Sequence, residues 1–154
     1  MISDILLFML RVLHTICFYF LLVISFIIGT SLASIISIFS RSPQKVFQTT
    51  AQLWAKFLAP FSGVKVTVSG LENLPHDQPV ILAANHQGAA DILLVLAYLP
   101  VKFRFAIKKE LFGIPIFGWY LKKAGYFPVD RAMILSAYKI VDSIVELIKL
   151  GDSV

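Results

Sequence analysis

Charge is what this chain has least of. Fourteen Lys and Arg and nine Asp and Glu make up 15% of its 154 residues, and 58% are hydrophobic. A soluble domain carries roughly a quarter charged residues and about half apolar, so an ordinary water-soluble protein is excluded. Cysteine occurs once, at Cys17, so no internal disulfide forms; in its apolar surroundings it reads as a small apolar side chain. Three histidines stand far apart at positions 14, 76 and 86, and no Cys/His spacing fits a metal site. A glycine-rich phosphate loop is missing too.

The scarcity of charge is concentrated. From Val12 to Ser40, 29 consecutive residues contain no Asp, Glu, Lys or Arg. About 20 apolar residues suffice to cross the hydrocarbon core, whereas a cleaved signal peptide has an apolar region of only about 7–15. The run is therefore read as membrane-embedded. Asp4 and Arg11 precede it; Arg41, Lys45, Lys56 and Lys65 follow before the next acid, Glu72. That bias puts the carboxyl-terminal side in the cytoplasm, at an inner membrane if the cell is bacterial. His14, inside the run, reads as an interfacial or neutral histidine.

The net charge of +5 gathers between Lys102 and Arg131, where seven Lys and Arg face two acids. A basic face beside a membrane segment suits anionic headgroups and phosphate-bearing substrates. Nucleic acid is not expected as a partner, since no nucleic-acid motif accompanies the membrane segment.

Residues 43–59 suggest a second helix, capped by Ser42 with Pro43 in its first turn. Val46, Phe47, Thr50, Leu53, Trp54, Phe57 and Leu58 would form its apolar face. It either lies in the interface with Trp54 at headgroup level or forms a hairpin with the first helix, dipping into one leaflet. Val64–Ser69 alternates like a half-solvated strand, and Val80–Ala84 reads as a strand buried on both faces. Leu71–Pro79, with His76, is a loop. Further elements are expected at Asp91–Tyr98 (helix), Lys102–Ile107 (strand), Pro115–Lys123 (helix), Tyr126–Val129 (strand) and Ala132–Leu150 (helix). The last should bury Ile134, Tyr138, Val141, Val145 and Ile148 and stop at Gly151. The alternation predicts an α/β fold: a membrane helix or helical hairpin over residues 1–60, then an α/β layer domain with a mostly parallel sheet over 61–154.

The segment Asn85-His86-Gln87-Gly88-Ala89-Ala90-Asp91 follows the second strand and carries the chemistry. An imidazole with a pKa near neutrality can take a proton from a hydroxyl nucleophile. A carboxylate five positions on can fix its tautomer and steady the imidazolium. Such a pair arises by chance in roughly one chain of this composition in nine, and a histidine capping the Asp91 helix is the alternative.

The surrounding residues decide between these. With NHQGAAD upstream, FAIKKELFGIPIFGWYLKKAGYFPVDR over Phe105–Arg131 resembles the glycerolipid acyltransferases that make phosphatidic acid. Order, spacing and residue types agree over about residues 64–154. The resemblance makes His86 and Asp91 catalytic and implies that Arg131 and Lys108 bind the substrate phosphate. Against this, Arg131 reads as a solvated arginine, and Lys109 competes with Lys108 for the role. Phe112, Ile116, Phe117, Trp119 and Tyr120 read as core or membrane contact first and as an acyl-chain tunnel second. Gly88 replaces a serine common in the family.

The implied reaction passes an acyl group from acyl-CoA or acyl-carrier protein, as donor substrate rather than cofactor, to the sn-2 hydroxyl of lysophosphatidic acid. Other acceptors (glycerol-3-phosphate, another lysophospholipid, lyso-ornithine lipid) or an inactive lipid-binding fragment are the alternatives. The family's third motif, Phe-Pro-Glu-Gly-Thr-Arg, is not found, so the expectation is a fragment of a longer acyltransferase with its acceptor site incomplete.

Overall fold

The computed structural model describes residues 2–75, 77–85, 88–130 and 134–154. Helix α1 spans Ile2–Ile38 and α2 spans Pro43–Leu58. Then come α3 (Ala89–Tyr98), β1 (Ala106–Lys108), α4 (Phe117–Lys123), β2 (Phe127–Val129) and α5 (Ile134–Lys149), with short 3-10 turns between them. The chain is mostly helical, with a small parallel sheet, as expected of part of an α/β acyltransferase domain.

At 37 residues, α1 is about 55 Å long, nearly twice the thickness of a hydrocarbon core. It is the one helix among the described residues long and apolar enough to cross a membrane. Residues 3–17 are exposed on every side. Beyond them α1 packs antiparallel to α2 through small residues that let the backbones approach. A side chain at Gly29 would meet the Thr50 methyl at 3.5 Å, and the Trp54 indole N–H donates to Ser25 Oγ at 3.0 Å. Nearer the start of α1, His14 Nε2 lies 3.0 Å from the Phe61 carbonyl oxygen, which can only accept, so this nitrogen carries a proton.

α1 and α2 thus form an antiparallel packed pair, and three expectations about α2 change. Its buried face is Phe47, Gln48, Ala51, Ala55 and Leu58. Leu53 and Phe57 are turned outward. Trp54 is half-buried against α1 instead of standing free at headgroup level. The reason is that α2 lies between α1 on one side and α3 and α4 on the other, so its small residues are needed inward. Even the buried Gln48 is used, its amide donating to Ala124 O at 3.1 Å. Pro43 does occupy the first turn, but the Ser42 side chain makes no capping bond.

β1 and β2 pair in parallel, Ala106 with Phe127 and Lys108 with Val129. Three other sequence expectations are corrected. Val64–Ser69 forms no strand and leaves Val64 and Val68 exposed. Among the described residues the 80–84 stretch bonds through Val80 and Leu82, and Ile81 is 63% exposed. Helix α5 leaves Val141 and Val145 outward and half-buries Ile144 and Leu147 beside the expected Ile148. In each case the pattern promised a neighbouring layer that the described residues supply only in part or not at all. Ile134 and Tyr138 have side chains outside the described set. Gly151, at φ +85°, ends α5 as expected.

The core joins α1, α2, α3, α4 and β1, with Ala33, Phe47, Leu96, Phe103, Ile107, Tyr120, Leu121 and Tyr126 buried. The Tyr120 hydroxyl donates to Phe47 O at 2.6 Å. Burial raises the pKa of Tyr120 well above its ordinary 10, aided by nearby Tyr126, and burial does the same for Tyr126. Above pH 10 the unfolded chain releases these protons while the folded chain keeps them, so stability falls as pH rises further. Each tyrosine should cost about 1 kcal/mol per pH unit there. Denaturant titrations at pH 9, 10 and 11 should show this loss, and Tyr126→Phe should flatten it.

Candidate active site

The site is built on one edge of the sheet. β1 and β2 run parallel, so both release their chains at the same edge, β1 into Lys109 and β2 into Asp130. The 80–85 segment runs the same way, since Val80 O and Leu82 N both bond Val154. Ligands of open α/β sheets gather outside such carboxyl ends. His86 and Arg131 follow the ends of two of these segments in sequence. Both lie outside the described residues, as does His76.

Asp91 is described. It occupies the third position of α3, and its Oδ2 accepts the Gly88 N–H at 3.0 Å while its own N–H donates to Gly88 O at 3.1 Å. The carboxylate thus fixes the turn that carries the chain from residue 85 into the helix. Gly88 is extended there, and nothing lies within 4 Å of where its side chain would point.

The two lysines differ. Lys108, at the end of β1, points outward with Glu110 at 3.6 Å. Lys109 reaches Asp130 at 3.5 Å and ties the turn after β1 to the end of β2. Lys108 thus stands at the edge beside exposed Glu110, whereas Lys109 bridges the two strand ends.

The apolar group divides. Phe117 and Tyr120 line a cavity of about 80 Å³, open on one side, together with Leu121, Ile107, Phe105 and Leu96. Phe26, Gly29 and Thr30 of α1 and Trp54 of α2 close its other wall. Phe112 is half-buried against the core, while Ile116 and Trp119 face outward at 55% and 42% exposure. The Lys123 ammonium lies over the Trp119 ring, 5.8 Å from its centroid.

Ile116 holds a conformation that sequence reasoning did not anticipate, φ +63° and ψ −54°, with the Phe117 N–H donating to Pro115 O at 2.6 Å. This tight three-residue turn is rare for a β-branched residue and strained by about 1–3 kcal/mol. It starts α4 abruptly enough to press Gly118 against the Phe112 backbone. Also unanticipated was Thr30, whose buried hydroxyl has no partner although it lines the cavity. Neighbouring hydroxyls on α1 bond back to their own helix, as Ser34 does to Thr30 O at 2.6 Å. A polar residue in a long apolar run gives no sign of which face it will take.

Residues 65–154 match the acyltransferase family, and the chain belongs to it. Its relatives narrow the class. It is 36% identical over 119 residues to the chloroplastic 1-acyl-sn-glycerol-3-phosphate acyltransferase of Arabidopsis thaliana, covering 76% of this chain and 33% of that protein. The Bacillus subtilis enzyme of the same name is 42% identical over 67 residues, 43% of this chain and 34% of its own. That of Pseudomonas aeruginosa is 27% identical over 150 residues, 92% of this chain and 53% of its own. The chain spans about a third of the length of the plant relatives it matches. No solved structure matches it.

Proposed function

We propose that these residues are the base-bearing portion of an enzyme acylating the sn-2 hydroxyl of lysophosphatidic acid to phosphatidic acid, with an acyl thioester as donor. What carries this reading is the family match over residues 65–154, which spans His86, Asp91, Lys108 and Arg131 together. His86 takes the hydroxyl proton as the oxygen attacks the thioester carbonyl. The C–O bond forms, the C–S bond breaks, and the thiol leaves with the proton returned by the imidazolium. Asp91 orients the imidazole. Arg131, whose planar guanidinium can meet two phosphate oxygens at once, and Lys108 hold the phosphate. Phe117 and Tyr120 serve first as core, and the small cavity they wall between α1 and α4 admits at most the end of an acyl chain, while Ile116 and Trp119 rest on the bilayer. Acyl-CoA or acyl-carrier protein serves as donor, no cofactor is required, and the site faces the cytoplasm.

The test grafts these 154 residues in place of the matching part of the Pseudomonas aeruginosa relative and expresses the graft in a strain without its own enzyme. Membranes receive a labelled acyl thioester with lysophosphatidic acid, glycerol-3-phosphate or a lyso-ornithine lipid. Product from lysophosphatidic acid at least tenfold above the others is expected. Preference for another acceptor overturns the substrate, and binding without product overturns the enzyme.

A further inference from the structure

Helix α4 has an outer face that nothing among the described residues covers. Gly118, Tyr120 and Leu121 are buried, whereas Ile116, Trp119, Lys122 and Lys123 stand exposed, and Ile114 just before them is 46% exposed. The backbone is strained to hold them out. Ile116 takes φ +63°, which disfavours a branched side chain and which a glycine would meet at no cost. Strain of this kind gathers where a protein meets a ligand.

Along this face the order is apolar, aromatic, cationic. At about 1.5 Å per residue, Ile116 lies about 10 Å along the axis from Lys122 and Lys123, with Trp119 between them. A bilayer interface has the same profile, with apolar side chains about 5–10 Å below the headgroups, tryptophan at the boundary and lysine snorkelling to the phosphates. No acid occurs on α4. The same order recurs at the bend between α1 and α2, where Ile38 and Phe39 are exposed and Arg41 and Lys45 follow, exposed too. The two patches are neighbours. The Trp119 ring meets Phe47 of α2 edge-on at 5.6 Å, and the Gln48 amide bonds Ala124 O just past α4. An apolar surface beside the membrane helix, rimmed by four cations, complements anionic lipid.

We propose that the outer face of α4 docks on anionic phospholipid. Ile114 and Ile116 wedge into the acyl boundary, and Lys122 and Lys123, with Arg41 and Lys45, hold headgroup phosphates. The strained turn at Ile116 is what turns the wedge outward. The domain thereby gains a second membrane contact besides α1. This inference rests on the bilayer contact of Ile116 and Trp119 in the acyl-transfer reading, and adds the charge of the lipid and the lysines that read it. It requires no acyl transfer, so its test is separate from the assay of that reaction.

The test attaches a nitroxide through Ile116→Cys, Trp119→Cys or Glu146→Cys in a Cys17→Ser background. The chain and its Pseudomonas aeruginosa graft are both reconstituted in vesicles. Collisions of the label with oxygen, which collects among acyl chains, are compared with collisions with an aqueous nickel chelate. In vesicles about one-third phosphatidylglycerol, the label at 116 should favour oxygen at least threefold and the label at 146 should favour nickel, with 119 between them. Lys122→Gln with Lys123→Gln should cut the docked population about 30-fold, and pure phosphatidylcholine should cut it at least as much. A label at 116 that favours nickel in the anionic vesicles overturns the docking, as does one screened from both partners in the graft. Equal depth in phosphatidylcholine overturns the anionic partner. Spin–spin broadening at 116 that grows with the protein-to-lipid ratio overturns the bilayer in favour of a second copy.

Discussion

Replacing His86 with alanine is expected to lower acyl transfer by about 10²–10⁴-fold in the grafted enzyme, the range a positioned general base supplies. The effect should fall on kcat, with KM for lysophosphatidic acid little changed, because the imidazole acts on the proton and leaves the phosphate contacts intact. Asp91 gives the sharper comparison, because its carboxylate also closes the turn on Gly88 N–H. Asp91→Asn keeps an oxygen that can accept that bond and removes the charge that steadies the imidazolium. Asp91→Ala removes both, and should add about 1 kcal/mol of lost stability from the missing cap. If Asp91→Asn matches wild-type kcat, the aspartate only shapes the helix start and the paired-base mechanism fails. If His86→Ala retains full turnover, the assignment of the base fails.

Gly118→Ala is expected to be the most destabilising single-methyl change available in the described residues. The added carbon would stand 2.9 Å from Phe112 Cα and closer still to the Phe112 carbonyl, all of it backbone that cannot swing aside. Relief would require separating the Lys109–Gly113 turn from α4, which carries Tyr120 and Leu121 of the core. A loss of about 3 kcal/mol, at the upper end of ordinary overpacking, is expected from denaturant titration. Gly88→Ala is the control, because no atom lies within 4 Å of its added carbon. Equal stability of the two variants would mean that α4 does not press on the turn before it.

The sequence alone determined the composition-level and local features. A long charge-free run made α1, Gly151 ended α5, and the alternation of short apolar runs with helical periods gave the α/β class. The pattern NHQGAAD followed by FAIKKELFGIPIFGWYLKKAGYFPVDR carried the family. These are legible because chain-neighbour chemistry and hydrophobic period set them. Tertiary structure decided which face of each helix is buried. Leu53 and Phe57 had the period of a core stripe, yet Ala51 and Ala55 lie inward beside Phe47 and Leu58, because α2 is held between α1 on one side and α3 and α4 on the other. It also decided that Val64–Ser69 forms no strand among the described residues, and that Ser153 and Val154 bond between the 80–82 segment and Phe103–Arg104. Strand pairing depends on partners remote in the chain, and no period within a strand names its neighbour. The unpartnered Thr30 hydroxyl belongs with these: only the packing of α1 against α2 and α4 turned it into the cavity.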